Sequence, residues 1–265
     1  MTFVENQGIR IYFEESGTGP PIVFGHSFLC SGEMWAPQVG RLQERFRVVN
    51  IDFRGHGRSG PVKRPFTLYD AVSDVVAVLD HLSIDTAVWA GLSIGGMVAL
   101  RAALTVPDRV SALVIADSDA GAENAFKRFK YRLMALVAKA AGLRPLMPAT
   151  LPLMFGRTTR RENPALVAEW RERFCAAHVP SLLHGIDALC RRDSVIGRLG
   201  EIEVPALVVV GDEDKSLPPP HSRTIADGLP NSKLVVVPGA GHLSALERPE
   251  AVTEAMTEFL SSLDG

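Results

Sequence analysis

Short β-branched and apolar runs alternate along the chain with longer stretches whose apolar positions recur every three or four residues. That alternation predicts an α/β protein, a mostly parallel sheet with helices on both faces. The predicted strands are residues 9–14, 22–25, 46–52, 87–90, 110–116, 206–210 and 233–237. Several of them, such as the ALVVV run before Gly211, are apolar without interruption, as strands covered on both faces must be. Between strands, Val72, Val75, Val76 and Leu79 fall at helical spacing over residues 68–82, with Thr67 as N-cap and Asp70 three residues on. Residues 97–104 and 251–263 read as two further amphipathic helices.

From residue 119 to residue 200 the alternation stops. No strand pattern occurs there, and helical patterns are interrupted at Pro145, Pro148, Pro152, Pro164 and Pro180. The segment reads as a helical cap inserted between two core strands, with residues 1–118 and 201–265 forming the core.

Composition adds exclusions. At 265 residues, with 46% hydrophobic and 22% charged side chains, the chain matches a globular protein and not a disordered or coiled-coil one. A net charge of −2 argues against a nucleic-acid partner. Three cysteines (Cys30, Cys175, Cys190) without CxxC spacing fit a reducing cytoplasm. No signal-like start and no uncharged apolar run of about 18 residues is present, so no membrane association is expected. The charge total conceals two unlike parts, however. Residues 119–200 carry 14 Lys and Arg against 7 Asp and Glu, a net +7, while the remainder carries 14 against 23, a net −9. A positive cap over a cleft would draw in anionic substrates. A solvated basic face is the plainer account.

The candidate chemistry begins at AVWAGLSIGGMVAL (residues 87–100), which places Gly91-Leu92-Ser93-Ile94-Gly95 between a strand and a helix. In G-x-S-x-G the serine sits on a strained turn above the sheet edge, and the flanking glycines remove side chains that would collide there. The helix N-terminus also aims backbone N–H groups at a developing oxyanion. A serine hydroxyl needs a base. His242 lies in a glycine-rich loop after the last predicted strand, at the same sheet edge. An acid is expected between the two in chain order. Asp212, Glu213 and Asp214 crowd the end of ALVVV; position favours Asp214, with Asp117 as an outside candidate.

Together with His26-Ser27-Phe28, Asp52-Phe53-Arg54-Gly55-His56-Gly57-Arg58-Ser59 and Gly211-x-x-Asp214-x-x-x-Pro218, these motifs resemble the serine α/β-hydrolases across nearly the whole chain. The stretches HSFLCSGEMWAPQ, GLSIGGMVAL and AGHLSALERPEAV are most similar to 3-oxoadipate enol-lactonases and related small carboxylesterases. The resemblance implies an α/β-hydrolase fold and a triad of Ser93, Asp214 and His242. It also implies an oxyanion hole made by the backbone N–H groups of Phe28 and Ile94. Many members read His-Gly where this chain has His26-Ser27.

Gly55-His56-Gly57-Arg58-Ser59-Gly60 matches the dinucleotide fingerprint, but Pro61 and Pro65 follow and no helix begins before Thr67, so no pyrophosphate site is predicted. His26 and His56 are expected to hold loops, and Cys30 carries no mark of an activated thiol. No HExxH or other histidine-ligand spacing occurs, so neither a metal nor a cofactor is expected. His26, Trp35, Met147, Phe155 and Trp170 are candidates for lining the pocket, as are Met134, Leu151, Leu153 and Met154. The expected activity is hydrolysis of a small-molecule ester or lactone through an acyl-enzyme. Acyl transfer, perhydrolysis and C–C hydrolysis by the same triad, or a ligand receptor on a hydrolase scaffold, are the alternatives.

Overall fold

The computed structural model describes residues 2–263. Eight strands form one sheet: β1 (Thr2–Asn6), β2 (Ile9–Ser16), β3 (Pro21–Gly25), β4 (Arg47–Ile51), β5 (Ala87–Leu92), β6 (Val110–Ala116), β7 (Ala206–Gly211) and β8 (Ser232–Val237). Their order is β1-β2-β4-β3-β5-β6-β7-β8. Only β1–β2 and β2–β4 pair antiparallel; every other pair is parallel.

All seven predicted strands are present, with ends differing by up to two residues. The sequence did not predict β1. TFVEN is half-exposed at the sheet edge and reaches its partner through a Gln7-Gly8 turn with φ of 52° and 76°. Positive φ at both central residues is the hairpin turn whose twist matches paired strands.

Inside the sheet, side chains alternate between two apolar layers. Val23, Trp89, Leu113, Ile115 and Val208 join one, while Ile22, Phe24, Val88, Val114 and Val209 join the other. The first layer is covered by α2 (Leu68–His81), α3 (Ile94–Thr105) and α9 (Pro219–Gly228), the second by α1 (Ala36–Leu42) and α11 (Pro249–Ser261). Burial on both faces is why these strands read as continuous apolar runs. α2 is capped as expected: Thr67 Oγ1 accepts from Asp70 N, and an Asp70 carboxylate oxygen accepts from Thr67 N at 2.7 Å.

Between β6 and β7 the chain forms α4 (Ala125–Ala141), α5 (Met147–Met154), α6 (Arg157–Glu162), α7 (Pro164–Cys175) and α8 (Val179–Arg191), with no strand among the described residues. The prolines play a different part from the expected one. Pro148, Pro164 and Pro180 stand in the first turns of α5, α7 and α8, where a missing N–H costs nothing, and only Pro152 lies inside a helix. The short α10 (Ser244–Glu247) completes the helices.

Candidate active site

The turn from β5 into α3 holds Ser93 at φ 56° and ψ −113°, a conformation that a side chain of this kind rarely adopts. Three contacts keep it there. Ser93 N donates to Ala116 O at 2.9 Å, and Ser118 Oγ donates to Ser93 O at 2.7 Å. The third is backbone crowding that only glycine permits: a Cβ on Gly91 would stand 2.1 Å from the Gly95 carbonyl carbon. On Gly95 it would stand 2.2 Å from Gly25 O, so this glycine lets α3 close on β3.

His242 follows β8 and is buried, with Nε2 3.0 Å from Ser93 Oγ and Nδ1 2.8 Å from Asp214 Oδ2. A carboxylate on Nδ1 fixes that nitrogen as the N–H donor, which leaves Nε2 as the acceptor of the serine proton. Burial pulls the His242 pKa down, but the charge and hydrogen bond of Asp214 carry it above its ordinary value. The structure therefore brings Ser93, His242 and Asp214 into one line of hydrogen bonds, from parallel-strand ends that share a sheet edge.

The acids after β7 have separate tasks. Asp214 Oδ1 accepts from Ser216 N at 2.8 Å and Leu217 N at 2.9 Å, which aims its other oxygen at His242. Asp212 accepts from Gly239 N at 2.7 Å, and Glu213 accepts from Thr158 N and Oγ1, each at 2.7 Å. Asp117, fully buried at φ 45°, accepts from Gly211 N at 2.9 Å and from the N–H and hydroxyl of Ser244. Burial, and then the Asp214 charge, push its pKa up to about 8. It braces the strand ends and makes no hydrogen bond to His242.

Sequence reasoning missed Glu247. Its buried carboxylate accepts from Gly241 N at 2.9 Å, Leu243 N at 3.2 Å and Gly156 N at 2.8 Å, gathering the backbone on both sides of His242 and tying it to the turn before α6. Its signal was an acid inside an otherwise apolar segment shortly after the loop histidine. Such an acid is rarely buried without backbone donors.

Ser27, Phe28 and Leu29 face Ser93 and His242 across a cavity of about 130 Å³. Neither the Phe28 nor the Ile94 N–H has a hydrogen-bond partner among the described residues. Ser27 Oγ is likewise buried without one. The other walls are mostly apolar, among them Met134, Met147, Leu153, Met154 and Leu182. Of the five main lining candidates only Met147 lines this cavity. His26 accepts from Phe53 N and donates to Ser27 O, and burial pulls its pKa down to about 4. Trp35 is buried against Phe24 and donates to Gly25 O, and Phe155 packs on Phe174. Trp170 lines a different cavity, beneath Arg173, and Leu151 is likewise off the lining. The charged groups on the wall are Glu123 and Arg192, and Arg192 is already spent on Glu123 at 3.0 Å and Asp119 at 2.9 Å. No unpaired cation faces Ser93 from the described lining residues.

His56 Nδ1 donates to Arg54 O at 3.1 Å, and the Gly55–Gly60 stretch is a loop with no helix before Leu68. Burial raises the Cys30 thiol pKa, the reverse of activation.

The family model for the alpha/beta hydrolase fold matches residues 20–249. The chain belongs to that family. This hydrolase is 28% identical to 3-oxoadipate enol-lactonase 1 of Acinetobacter baylyi over 265 residues, covering 99% of this chain and 97% of the relative. It is also 28% identical, over 268 residues and the full length of both, to an Azorhizobium caulinodans protein provisionally named a carbamate hydrolase. Among solved structures, a thermophilic esterase from Thermogutta terrifontis with malate bound superposes with a TM-score of 0.94. Its identity is 29%, with 99% of this chain and 98% of that one covered. Among the described residues no helix is long and apolar enough to cross a membrane.

Proposed function

We propose that the protein hydrolyses carboxylic esters or lactones through an acyl-enzyme on Ser93. The buried line Ser93–His242–Asp214, opening on an apolar cavity, carries this reading. The esterase and enol-lactonase likenesses support it.

As Ser93 Oγ bonds to the carbonyl carbon, its proton passes to His242 Nε2, and Asp214 stabilises the imidazolium. The carbonyl oxygen becomes an oxyanion, held by the N–H groups of Phe28 and Ile94. Collapse expels the alkoxide, which takes the proton from His242, and the acyl group stays on Ser93. Water then attacks that ester while His242 removes its proton. The second collapse releases the acid and returns the proton to Ser93. Every group in this sequence belongs to the chain, the substrate or water.

In this reading residues 119–200 act as a cap whose inner wall receives the acyl chain. With Arg192 neutralised by its two carboxylates, an uncharged, apolar acyl group suits the cavity better than an anionic one.

Ser93→Ala should abolish turnover of p-nitrophenyl acetate and butyrate while the fold, followed by circular dichroism, persists. A fluorophosphonate probe should add to Ser93 in the unmodified protein, seen as a mass shift on the peptide that contains it. Activity above a few per cent in the variant would sink the assignment.

A further inference from the structure

We propose that α4 docks the protein on the surface of an anionic lipid bilayer. The helix has two apolar faces, and the fold uses one of them. Tyr131, Met134 and Ala138 line the Ser93 cavity. Phe126, Phe129, Leu133 and Leu136 point away from it and are 66%, 66%, 54% and 65% exposed. These are four of the eight large exposed hydrophobics among the described residues. At about 100° per residue they fall within an arc of about 80°, a continuous stripe along the outer side of the helix. A stripe of this kind on a globular protein marks a surface that something covers.

The charges around the stripe identify the partner. α4 carries Lys127, Arg128, Lys130, Arg132 and Lys139 and no acid. Elsewhere between β6 and β7 most arginines are paired: Arg144 with Glu172, Arg173 with Glu33 and Glu169, Arg191 with Asp187, Arg192 with Asp119 and Glu123, Arg198 with Glu201. No α4 cation forms an ion pair among the described residues; Lys127 donates to Ser216 O, and Lys130 lies 4.6 Å from the centre of the Phe126 ring. Apart from Arg160, which bonds to Phe155 O, the unpaired positive charge of the segment thus gathers on the helix that bears the apolar stripe.

Phenylalanine and leucine on one side, lysine and arginine on its borders and no acid is the arrangement of a helix that lies in a lipid headgroup layer. With Lys127 turned inward to Ser216 O, a second copy of the chain would oppose Arg128, Lys130, Arg132 and Lys139 with four more cations, whereas an anionic surface complements them. The helix lies on the bilayer and does not cross it, so the missing spanning segment is no obstacle. Docked this way, the outer side of α4 meets lipid while its inner side walls the cavity.

The test is co-sedimentation of the full chain with vesicles of mixed phosphatidylglycerol and phosphatidylcholine, against vesicles of phosphatidylcholine alone. Binding should be about tenfold or more tighter to the anionic vesicles and should fall with added salt. Phe129→Glu with Leu133→Glu should weaken it by about tenfold or more while the thermal transition and ester turnover in solution stay unchanged. Lys130→Gln with Arg132→Gln, which leaves the stripe intact, should weaken it independently. The proposal is overturned if the unmodified protein ignores phosphatidylglycerol vesicles, or if the double glutamate variant binds them equally well. A dimer dispersed by that variant, without vesicle binding, would assign the stripe to a second copy and overturn it too.

Discussion

Two buried carboxylates stand near His242, and exchanging each for its amide separates a working acid from a bracing one. Asp214→Asn replaces the oxygen 2.8 Å from His242 Nδ1 with a group that can donate as well as accept. The ring then adopts the tautomer that protonates Nε2, and the serine proton has nowhere to go. In serine hydrolases this change lowers kcat by about 10⁴, or ~5 kcal/mol at about 1.36 kcal/mol per decade. Asp117→Asn acts on a group that touches no reacting atom. With its pKa pushed up to about 8 by burial and by the Asp214 charge, Asp117 holds its proton at pH 7, so the amide is nearly isosteric and has the same charge. Its kcat/KM at pH 7 should fall by no more than about tenfold, since the Gly211 N–H keeps an oxygen acceptor while the new NH2 donates to the Ser244 hydroxyl and leaves the Ser244 N–H without one. The pH dependence gives a second readout. His242 must be neutral to act as a base, and its raised pKa places the acid limb of kcat/KM above pH 6.5. For stability the sign runs the other way. The folded Asp117 keeps a proton that an unfolded carboxyl of pKa 3.8 releases, so stability falls as pH rises from about 4 through 8. Asp117→Asn should flatten that fall in urea titrations at pH 5 and pH 8. A loss of activity in Asp117→Asn equal to that in Asp214→Asn would refute the assignment of the two acids.

Further outcomes follow from the same geometry. Gly95→Ala places a Cβ 2.2 Å from Gly25 O, a backbone atom that cannot swing aside, and should cost about 3 kcal/mol or more in chemical denaturation; an unchanged midpoint would contradict the close approach of α3 to β3. Arg192→Met leaves Asp119 and Glu123 buried without their shared cation and should destabilise by about 3 kcal/mol, read from the urea midpoint. Met134→Trp fills the cavity from its α4 wall and should lower kcat/KM for p-nitrophenyl hexanoate about tenfold relative to acetate; equal effects on both esters would place the acyl chain elsewhere.

What the sequence disclosed depended on whether the backbone itself was constrained. Gly91, Ser93 and Gly95 were legible because the turn tolerates almost nothing else at those positions, and the uninterrupted strands were legible because burial on two faces leaves no polar residue. β1 was invisible because an edge strand with only Phe3 and Val4 as apolar residues resembles a solvated tail until β2 is beside it. The cavity lining was the least legible. Trp35 and Phe155 are large, apolar and close in sequence to cavity-lining residues, Leu29 and Met154 respectively, but which way each points is decided by packing against Phe24 and Phe174. Glu247 was hidden for the same reason, since its role is visible only once Gly156 is folded against it.

The charge partition shows how a correct count can point at the wrong place. A net of +7 over residues 119–200 left two accounts open, a solvated basic face, the plainer one, and a basic mouth above the site. The structure divides those cations into arginines that, Arg160 apart, are closed by carboxylates and a group on α4 that is not. Arg192, the one beside the cavity, is the most thoroughly neutralised, held by two acids and by the Gly121 and Leu189 carbonyls. An anion entering the cavity would leave water and find no free partner, which disfavours it whatever the long-range field does. The outward α4 cations, Arg128, Lys130, Arg132 and Lys139, are most effective against something that stays outside, broad enough to meet them together. If both proposals hold, the surplus charge bears on the surface the hydrolase docks to, and the Met and Leu side chains around Ser93 on what it cleaves.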